Sequence, residues 1–242
     1  MDTEELAERL VSWIKDQVAT CGCRGVVLGM SGGIDSSVLA VLSERAQSRD
    51  MLGVIMPCHS NPQDEAHARA VASKFSVPTE RVVLDSVYDA LLKVLPGGDA
   101  GPGVVRLALA NLKARLRMLT LYYFANRLGY LVAGSGNRSE LAVGYFTKYG
   151  DSGVDILPLG NLLKRQVREL ARFLGVPAEI IEKPPSAGLW EGQTDEAELG
   201  CSYEQLDRCL IGGAAPEEVK SKIECMMAAA AHKLKLPPLP DF

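Results

Sequence analysis

The run Ser31-Gly32-Gly33-Ile34-Asp35-Ser36-Ser37 lies between two apolar stretches, Val26-Val27-Leu28-Gly29-Met30 and Val38-Leu39-Ala40-Val41-Leu42. Such an order reads as strand, tight turn and helix. It places the turn's backbone amides at a helix N-terminus, where unpaired N–H groups and the helix dipole attract an anion. Adjacent glycines let the main chain approach a ligand without interference from Cβ atoms, and the three serine hydroxyls add donors. The motif calls for a phosphate-bearing ligand. Asp35 would repel a bare phosphate, so its carboxylate implies that the phosphate arrives with a hard cation such as Mg²⁺.

Two commoner phosphate loops do not fit. A Walker A loop needs Gly-Lys followed by Ser or Thr, and this chain has no Gly-Lys pair. The glycines at 29, 32 and 33 also miss the Gly-x-Gly-x-x-Gly spacing of a dinucleotide fingerprint. An ordinary strand-to-helix turn would explain Gly-Gly alone, but not the whole Ser-Gly-Gly-Ile-Asp-Ser string. That string resembles the pyrophosphate loop of the N-type ATP pyrophosphatases. Members of this group adenylate a substrate oxygen with ATP, release pyrophosphate, and let a nitrogen or sulfur nucleophile displace AMP.

Elsewhere, short apolar runs recur at Met51–Met56, Arg81–Leu84 and Tyr130–Gly134. Helix-like segments precede the first strand, at 3–20, and separate the others, at 35–48, 62–75, 86–95 and 104–128. This alternation predicts a single α/β domain over 1–242, a parallel sheet with helices on both faces. Ligands in such folds bind at the carboxyl ends of the strands. In the 104–128 helix, Val105, Leu109, Leu112, Leu116, Leu119 and Tyr123 make a seam, while Val104, Met118, Leu121, Tyr122 and Phe124 form a second apolar face. Two apolar faces suggest two partners, one of them another subunit. Pro96–Gly103 reads as a turn-rich connection, Lys183–Gly200 as a lid or binding loop, and Leu236–Pro240 as a non-helical surface segment.

A net charge of −4 argues against a nucleic-acid partner. Without a secretory leader or an apolar run long enough to span a bilayer, the sequence is read as soluble and cytoplasmic. Six cysteines without a C-x-x-C pair suggest reduced, mostly buried thiols, and three histidines lack metalloprotease spacing.

The second informative region is Gly134-Ser135-Gly136-Asn137-Arg138-Ser139-Glu140, followed by Gly144-Tyr145-Phe146-Thr147-Lys148-Tyr149-Gly150-Asp151-Ser152-Gly153-Val154-Asp155. So many polar groups and glycines in one loop suit a polar ligand rather than a core. These strings, together with Leu157-Pro158-Leu159 and Lys164-Arg165-Gln166-Val167-Arg168 in the same order, resemble the ammonia-dependent NAD synthetases. The resemblance runs from about Val26 to Lys233. It implies a Rossmann-like fold of the adenine nucleotide alpha hydrolase type, with ATP as co-substrate and Mg²⁺ as cofactor. The implied reaction joins ammonia to deamido-NAD, giving NAD, AMP and pyrophosphate. The chain is too short to carry the amidase domain of glutamine-dependent relatives, so free ammonia is the expected donor.

On this resemblance, Gly29, Met30, Ser31, Gly32, Gly33, Ile34, Asp35 and Ser36 wrap the leaving pyrophosphate. Asp35 and Glu140 hold Mg²⁺, and Ser135, Lys164 and Ser186 contact ATP, with Lys164 supplying positive charge near the phosphates. Arg115, Lys148, Asp155, His232 and Lys233 take deamido-NAD at a homodimer interface, and Asp151 holds ammonium and helps to remove its proton. Arg117, Arg165 and Arg168 read as solvated helix charges and are left outside the site. A tRNA thiolase would instead need a basic RNA-binding region and a redox-active cysteine pair. A nucleotide-binding regulatory protein would not need Glu140, Lys148, Asp155 and Lys164 together.

Overall fold

Alternation along the first strand sets the layering. Val26 and Leu28 pack into one hydrophobic cluster and Val27 into another, so the strand is covered on both faces. The computed structural model describes residues 2–96, 101–190 and 192–241. In chain order it contains α1 (Thr3–Thr20), β1 (Gly25–Gly29), α2 (Ile34–Gln47), β2 (Met51–Ile55), α3 (Pro62–Phe75), β3 (Thr79–Arg81), α4 (Asp85–Val94) and α5 (Pro102–Leu128). There follow β4 (Tyr130–Val132), α6 (Arg138–Val143), α7 (Lys164–Leu174), α8 (Ala178–Ile181), α9 (Asp195–Leu199), α10 (Tyr203–Leu210), α11 (Glu217–Ala230) and a 3₁₀ turn over Ala231–Lys233.

The four strands are parallel, in the order β3-β2-β1-β4. One face is covered by α1, α2, α3 and α7, whose Ile14, Leu39, Val71 and Leu170 meet Val26, Leu28, Met51 and Ile55. The other face carries α4 and α5, whose Tyr88, Leu116, Leu121 and Ala125 meet Val27, Val54 and Val132. A third cluster, with Val143, Leu199, Tyr203, Leu206 and Ile223, binds α6, α9, α10 and α11 together beside the sheet. The expected fold class is therefore present. The strand order switches at β1, from which the chain moves outward to β2 and β3 on one side and returns to β4 on the other, and this opens a crevice at the carboxyl ends of β1 and β4.

Several expectations need correction. The third strand covers Thr79–Arg81 rather than 81–84, because it is an edge strand paired only with β2. Val82 still extends the ladder by one bond, donating to the Ile55 carbonyl at 2.9 Å. The α5 seam is not one buried stripe: Leu116 is buried, whereas Leu119 and Tyr123 are exposed. On the second face Leu121 is buried and Val104 is exposed, so the helix rotates its contacts along its length. All six cysteines are free, but only Cys58 and Cys201 are buried, while Cys21 and Cys225 are exposed. Within the connection read at 96–103, Gly97, Gly98, Asp99 and Ala100 lie outside the described residues, as does Glu191 within 183–200. Residues 236–240 are non-helical, with Leu236 and Leu239 exposed as expected. Among the described residues no helix is long and apolar enough to cross a membrane.

Candidate active site

The crevice is a cavity of about 1290 Å³. Its floor is the turn after β1. Gly32 adopts φ +75°, and a Cβ there would lie 2.1 Å from the Asp64 carbonyl oxygen of α3, so only glycine lets the turn seat against that helix. Gly33 is the N-cap of α2 and offers no side chain, and the serines close the turn instead. Ser31 Oγ and Ser36 Oγ are 2.9 Å apart, Gly33 N donates to Ser31 Oγ, and Ser37 Oγ donates to the Gly33 carbonyl at 2.7 Å. The result is a rigid concave loop at the start of a helix, a form suited to an anion.

Beside the loop stands a buried charge cluster. Lys164, the first residue of α7, is 2% exposed, and its Nζ lies 2.5 Å from Asp35 Oδ2 and 2.9 Å from Glu140 Oε1. Burial alone would lower the lysine's pKa, but Asp35 and Glu140 outweigh it and hold the ammonium above its ordinary value. Burial pushes the Glu140 carboxyl upward against the pull of Lys164, and the neighbouring Asp35 charge adds to the rise. Tyr203 lies beneath, with its ring 4.9 Å from Lys164 Nζ, its hydroxyl 3.3 Å from Glu140 Oε1 and 2.9 Å from Asp195 Oδ2.

Two hard carboxylates converging on one small cation fit the donor set of Mg²⁺, which takes one or two carboxylates and completes its shell with phosphate oxygens and water. Among the described residues no group of three or more His, Cys, Asp or Glu could hold a metal ion by protein ligands alone. An ion bound by Asp35 and Glu140 would therefore complete its shell with oxygens of ligand or water.

The far end of the cavity is built by a reciprocal clasp. Lys148 donates to the carbonyls of His232 and Lys235 at 2.8 and 3.3 Å, while Lys233 donates back to those of Gly144 and Phe146 at 2.8 and 3.0 Å. Asp151 opens onto the cavity and accepts from Thr147 N at 2.9 Å. Desolvation by the surrounding protein raises the pKa of its carboxyl although the residue stays exposed, an effect partly offset by the Thr147 and Asp151 amides and by Lys233. Arg115 lies on the rim and donates to the Lys148 carbonyl at 3.3 Å. Above the cavity runs the 183–190 segment, tied by Lys183 to Asp64 and by Lys113 Nζ to the Leu189 carbonyl at 3.0 Å. Arg106 also stacks over Trp190, 4.9 Å from its ring centre.

Most residues expected in the site line this cavity: Gly29, Met30, Ser31, Gly33, Ile34, Asp35, Ser36, Ser135, Glu140, Lys164, Ser186, Arg115, Lys148, Asp151, His232 and Lys233. Two do not. Gly32 faces α3, and Asp155 lies outside, accepting from Val132 N at 2.8 Å and Tyr122 Oη at 2.9 Å. Arg117 reverses the expectation of a solvated charge: it lines the cavity and donates to the Met56 carbonyl and to Ser60 Oγ, at 3.2 and 3.1 Å. Arg165, by contrast, is an exposed charge paired with Glu169.

Sequence reasoning missed Asn137, Asp195 and Tyr203. Asn137 is fully buried, caps α6 through Glu140 N, and donates to Asp35 Oδ1 at 2.8 Å. The Asn137-x-x-Glu140 spacing is a capping-box pattern that could have identified it. Asp195 and Tyr203 carry no local signal, because only packing brings α9 and α10 to Glu140.

A family model described as NAD synthase matches residues 6–237. The NH(3)-dependent NAD(+) synthetase of Carboxydothermus hydrogenoformans is 48% identical over 98% of this chain and 97% of its own. That of Syntrophomonas wolfei is 46% identical over 99% and 96%. Among solved structures, NMN synthetase from Francisella tularensis superposes with a TM-score of 0.93 at 35% identity, covering 100% of both chains. The NH3-dependent NAD synthetase from Campylobacter jejuni gives 0.81 at 29%, also over 100% of both. The chain thus belongs to the NAD synthase family, ligases that amidate deamido-NAD with ATP.

Proposed function

We propose that this enzyme uses the Ser31–Ser37 turn and Lys164 to take the phosphates of ATP, and Asp35 and Glu140 to hold Mg²⁺. The observation that carries the reading is the Lys164 ammonium bridging Asp35 and Glu140 beside an amide-lined turn. A lysine in that position can leave its carboxylates for phosphate oxygens, where it offsets the charge that grows on departing pyrophosphate. Mg²⁺ held by Asp35 and Glu140 would add to the same neutralisation of charge on the phosphates.

The remaining chemistry is positional. The nicotinate carboxylate attacks the α-phosphorus, the bond to the bridging oxygen breaks, and pyrophosphate leaves. Ammonia then attacks the activated carbonyl carbon and AMP departs with the electron pair of the C–O bond. Asp151 is the group proposed to hold ammonium and accept its proton, a role that suits a carboxyl whose pKa is raised by desolvation. Arg115, Lys148, His232 and Lys233 bind deamido-NAD at the clasp, and Ser135 and Ser186 contact ATP. Asp155, which lies outside the cavity of one chain, is proposed to meet the dinucleotide from the other subunit of a dimer.

A homodimer through α5 completes this picture. Val105, Leu119 and Tyr123 are 39%, 64% and 59% exposed on one face of that helix, an apolar surface that favours coverage by a second copy. The reading is of a cytoplasmic enzyme with one synthetase domain and free ammonia as donor, in keeping with the relatives' names.

The 0.93 likeness to an NMN synthetase favours a second acceptor, the deamido mononucleotide. Purified enzyme incubated with ATP, Mg²⁺, ammonium and either acceptor decides both points. Formation of NAD with stoichiometric AMP and pyrophosphate is expected. Absence of both NAD and AMP would overturn the synthetase assignment, and kcat/KM for the two acceptors ranks them.

A further inference from the structure

We propose that Asp207 is a positioning residue for this reaction, holding Glu140 and Lys164 in register from a third helix. The proposal rests on the roles given above to Glu140 and Lys164. Helix α7 starts at Lys164, and its N-cap is Leu163, a residue without a side-chain oxygen. The amides of its first turn must find acceptors elsewhere. Lys164 N donates to Ser139 Oγ at 3.0 Å, and Arg165 N donates to Asp207 Oδ2 at 2.9 Å. Ser139 Oγ in turn donates to Asp207 Oδ1.

Asp207 therefore caps α7 from α10 while also gripping α6. It is 5% exposed and Ser139 is 0% exposed, so the chain of bonds is closed to water. The two oxygens of Asp207 accept from a hydroxyl and an amide rather than from a basic side chain, and its charge sits at the positive end of the α7 dipole. Ser139 immediately precedes Glu140, and Arg165 immediately follows Lys164. The buried chain thus runs alongside the Lys164–Glu140 ion pair, one residue away on each helix.

The parallel arrangement matters when ligands arrive. If phosphate takes Lys164 and a bound cation takes Glu140, the ion pair that joins α6 to α7 would open. Ser139–Asp207–α7 is made only of protein groups and stays closed. It keeps the lysine and the carboxylate at their spacing during the step in which they no longer hold each other. Supporting groups of this kind, when removed, typically cost roughly 10–100-fold in activity.

The test uses Asp207→Asn and Ser139→Ala, singly and together, with Leu206→Ala as a stability control. Leu206 is buried on the same helix but belongs to the hydrophobic cluster. Both single variants should lose about tenfold or more in kcat, with KM for deamido-NAD within about twofold of wild type. The double variant should be no worse than the poorer single one, because both cut one chain. Leu206→Ala should lower Tm and keep kcat. If Asp207→Asn does not fold, Ser139→Ala, which removes one oxygen, carries the test. A Ser139→Ala enzyme with kcat within twofold of wild type would overturn the proposal. So would a Leu206→Ala enzyme whose kcat falls as far. Lys164→Ala measured in parallel separates the two readings. If Lys164→Ala is inactive and Ser139→Ala normal, only the positioning role fails; if Lys164→Ala is fully active, the assignment of Lys164 fails first.

Discussion

Asn137 donates its side-chain amide to Asp35 Oδ1 across 2.8 Å, joining the turn after β1 to the first residues of the helix after β4. The same side chain accepts from Glu140 N at 3.0 Å, and the Asn137 backbone N–H donates to Glu140 Oε2 at 3.4 Å, so one residue touches both carboxylates proposed to hold Mg²⁺. Asn137→Ala removes both side-chain bonds; loss of the cap should cost about 1 kcal/mol of stability by chemical denaturation. Asn137→Asp keeps a capping oxygen but presents an acid to Asp35. AMP formation by that variant should fall at least about tenfold while its Tm drops less than that of Asn137→Ala.

Gly32 and Gly22 both have positive φ, +75° and +64°, yet their surroundings differ. A Cβ at Gly22 meets nothing within 4 Å, so Gly22→Ala should cost only the backbone strain, about 1 kcal/mol. At Gly32 the added atom collides with the Asp64 backbone as well. Gly32→Ala should cost roughly 3 kcal/mol or more and weaken ATP binding, measured by calorimetry. Equal Tm values for the two variants would contradict the packing of the turn against α3.

Arg117 should matter where Arg165 does not. Its guanidinium fixes the Met56 carbonyl and Ser60, which form the cavity wall after β2. Arg117→Ala is expected to raise KM for ATP about tenfold or more, because two donors to that wall disappear. Arg165→Ala should leave kcat and KM within twofold and change stability by less than about 0.5 kcal/mol.

Glu65 supplies a pH signature. Hydrogen bonds from Arg81 and then Arg69 lower its carboxyl to about 2 from 4.5. Because the folded-state value lies below the unfolded one, the stabilisation is complete above the unfolded pKa and is lost as pH falls toward the folded value. Wild type should therefore exceed Glu65→Gln in stability at pH 7, and the gap should shrink steadily from about pH 4.5 downward. A gap that stays constant between pH 7 and pH 3 would show that the pairs contribute nothing through this carboxylate.

The α5 surface makes a prediction about assembly. Leu119→Glu combined with Tyr123→Glu places charge on exposed apolar positions without entering the core. Sedimentation of the wild type should give a dimer, and the double variant should shift to monomer. A wild-type monomer at micromolar concentration would remove the subunit interface from the proposal.

Much of the frame was legible before any coordinates. Apolar runs at 26–30, 51–56 and 130–134 mark buried parallel strands because a strand covered on both faces has no polar side to show. The turn at Ser31–Ser37 and the region from Gly134 onward are local patterns, with glycine, hydroxyl and carboxylate at short fixed spacings. Their chemistry is written within a few residues. The third strand was displaced because an edge strand need not be apolar, and Thr79, Glu80 and Arg81 are all exposed. Arg117 was misjudged because a charge on a helix does not reveal which neighbour will bury it.

The parallel α/β layering, the Ser31–Ser37 turn and the identity of its charged companions are written in local periodicity and in short spacings along the chain. Which of these groups meet depends on packing between distant elements. Lys164 reaches Asp35, 129 positions away, and Asp207 reaches Ser139, 68 away, because α2, α6, α7 and α10 converge beside one sheet edge. Contacts between distant segments follow from how whole faces pack, and no short stretch of sequence encodes them.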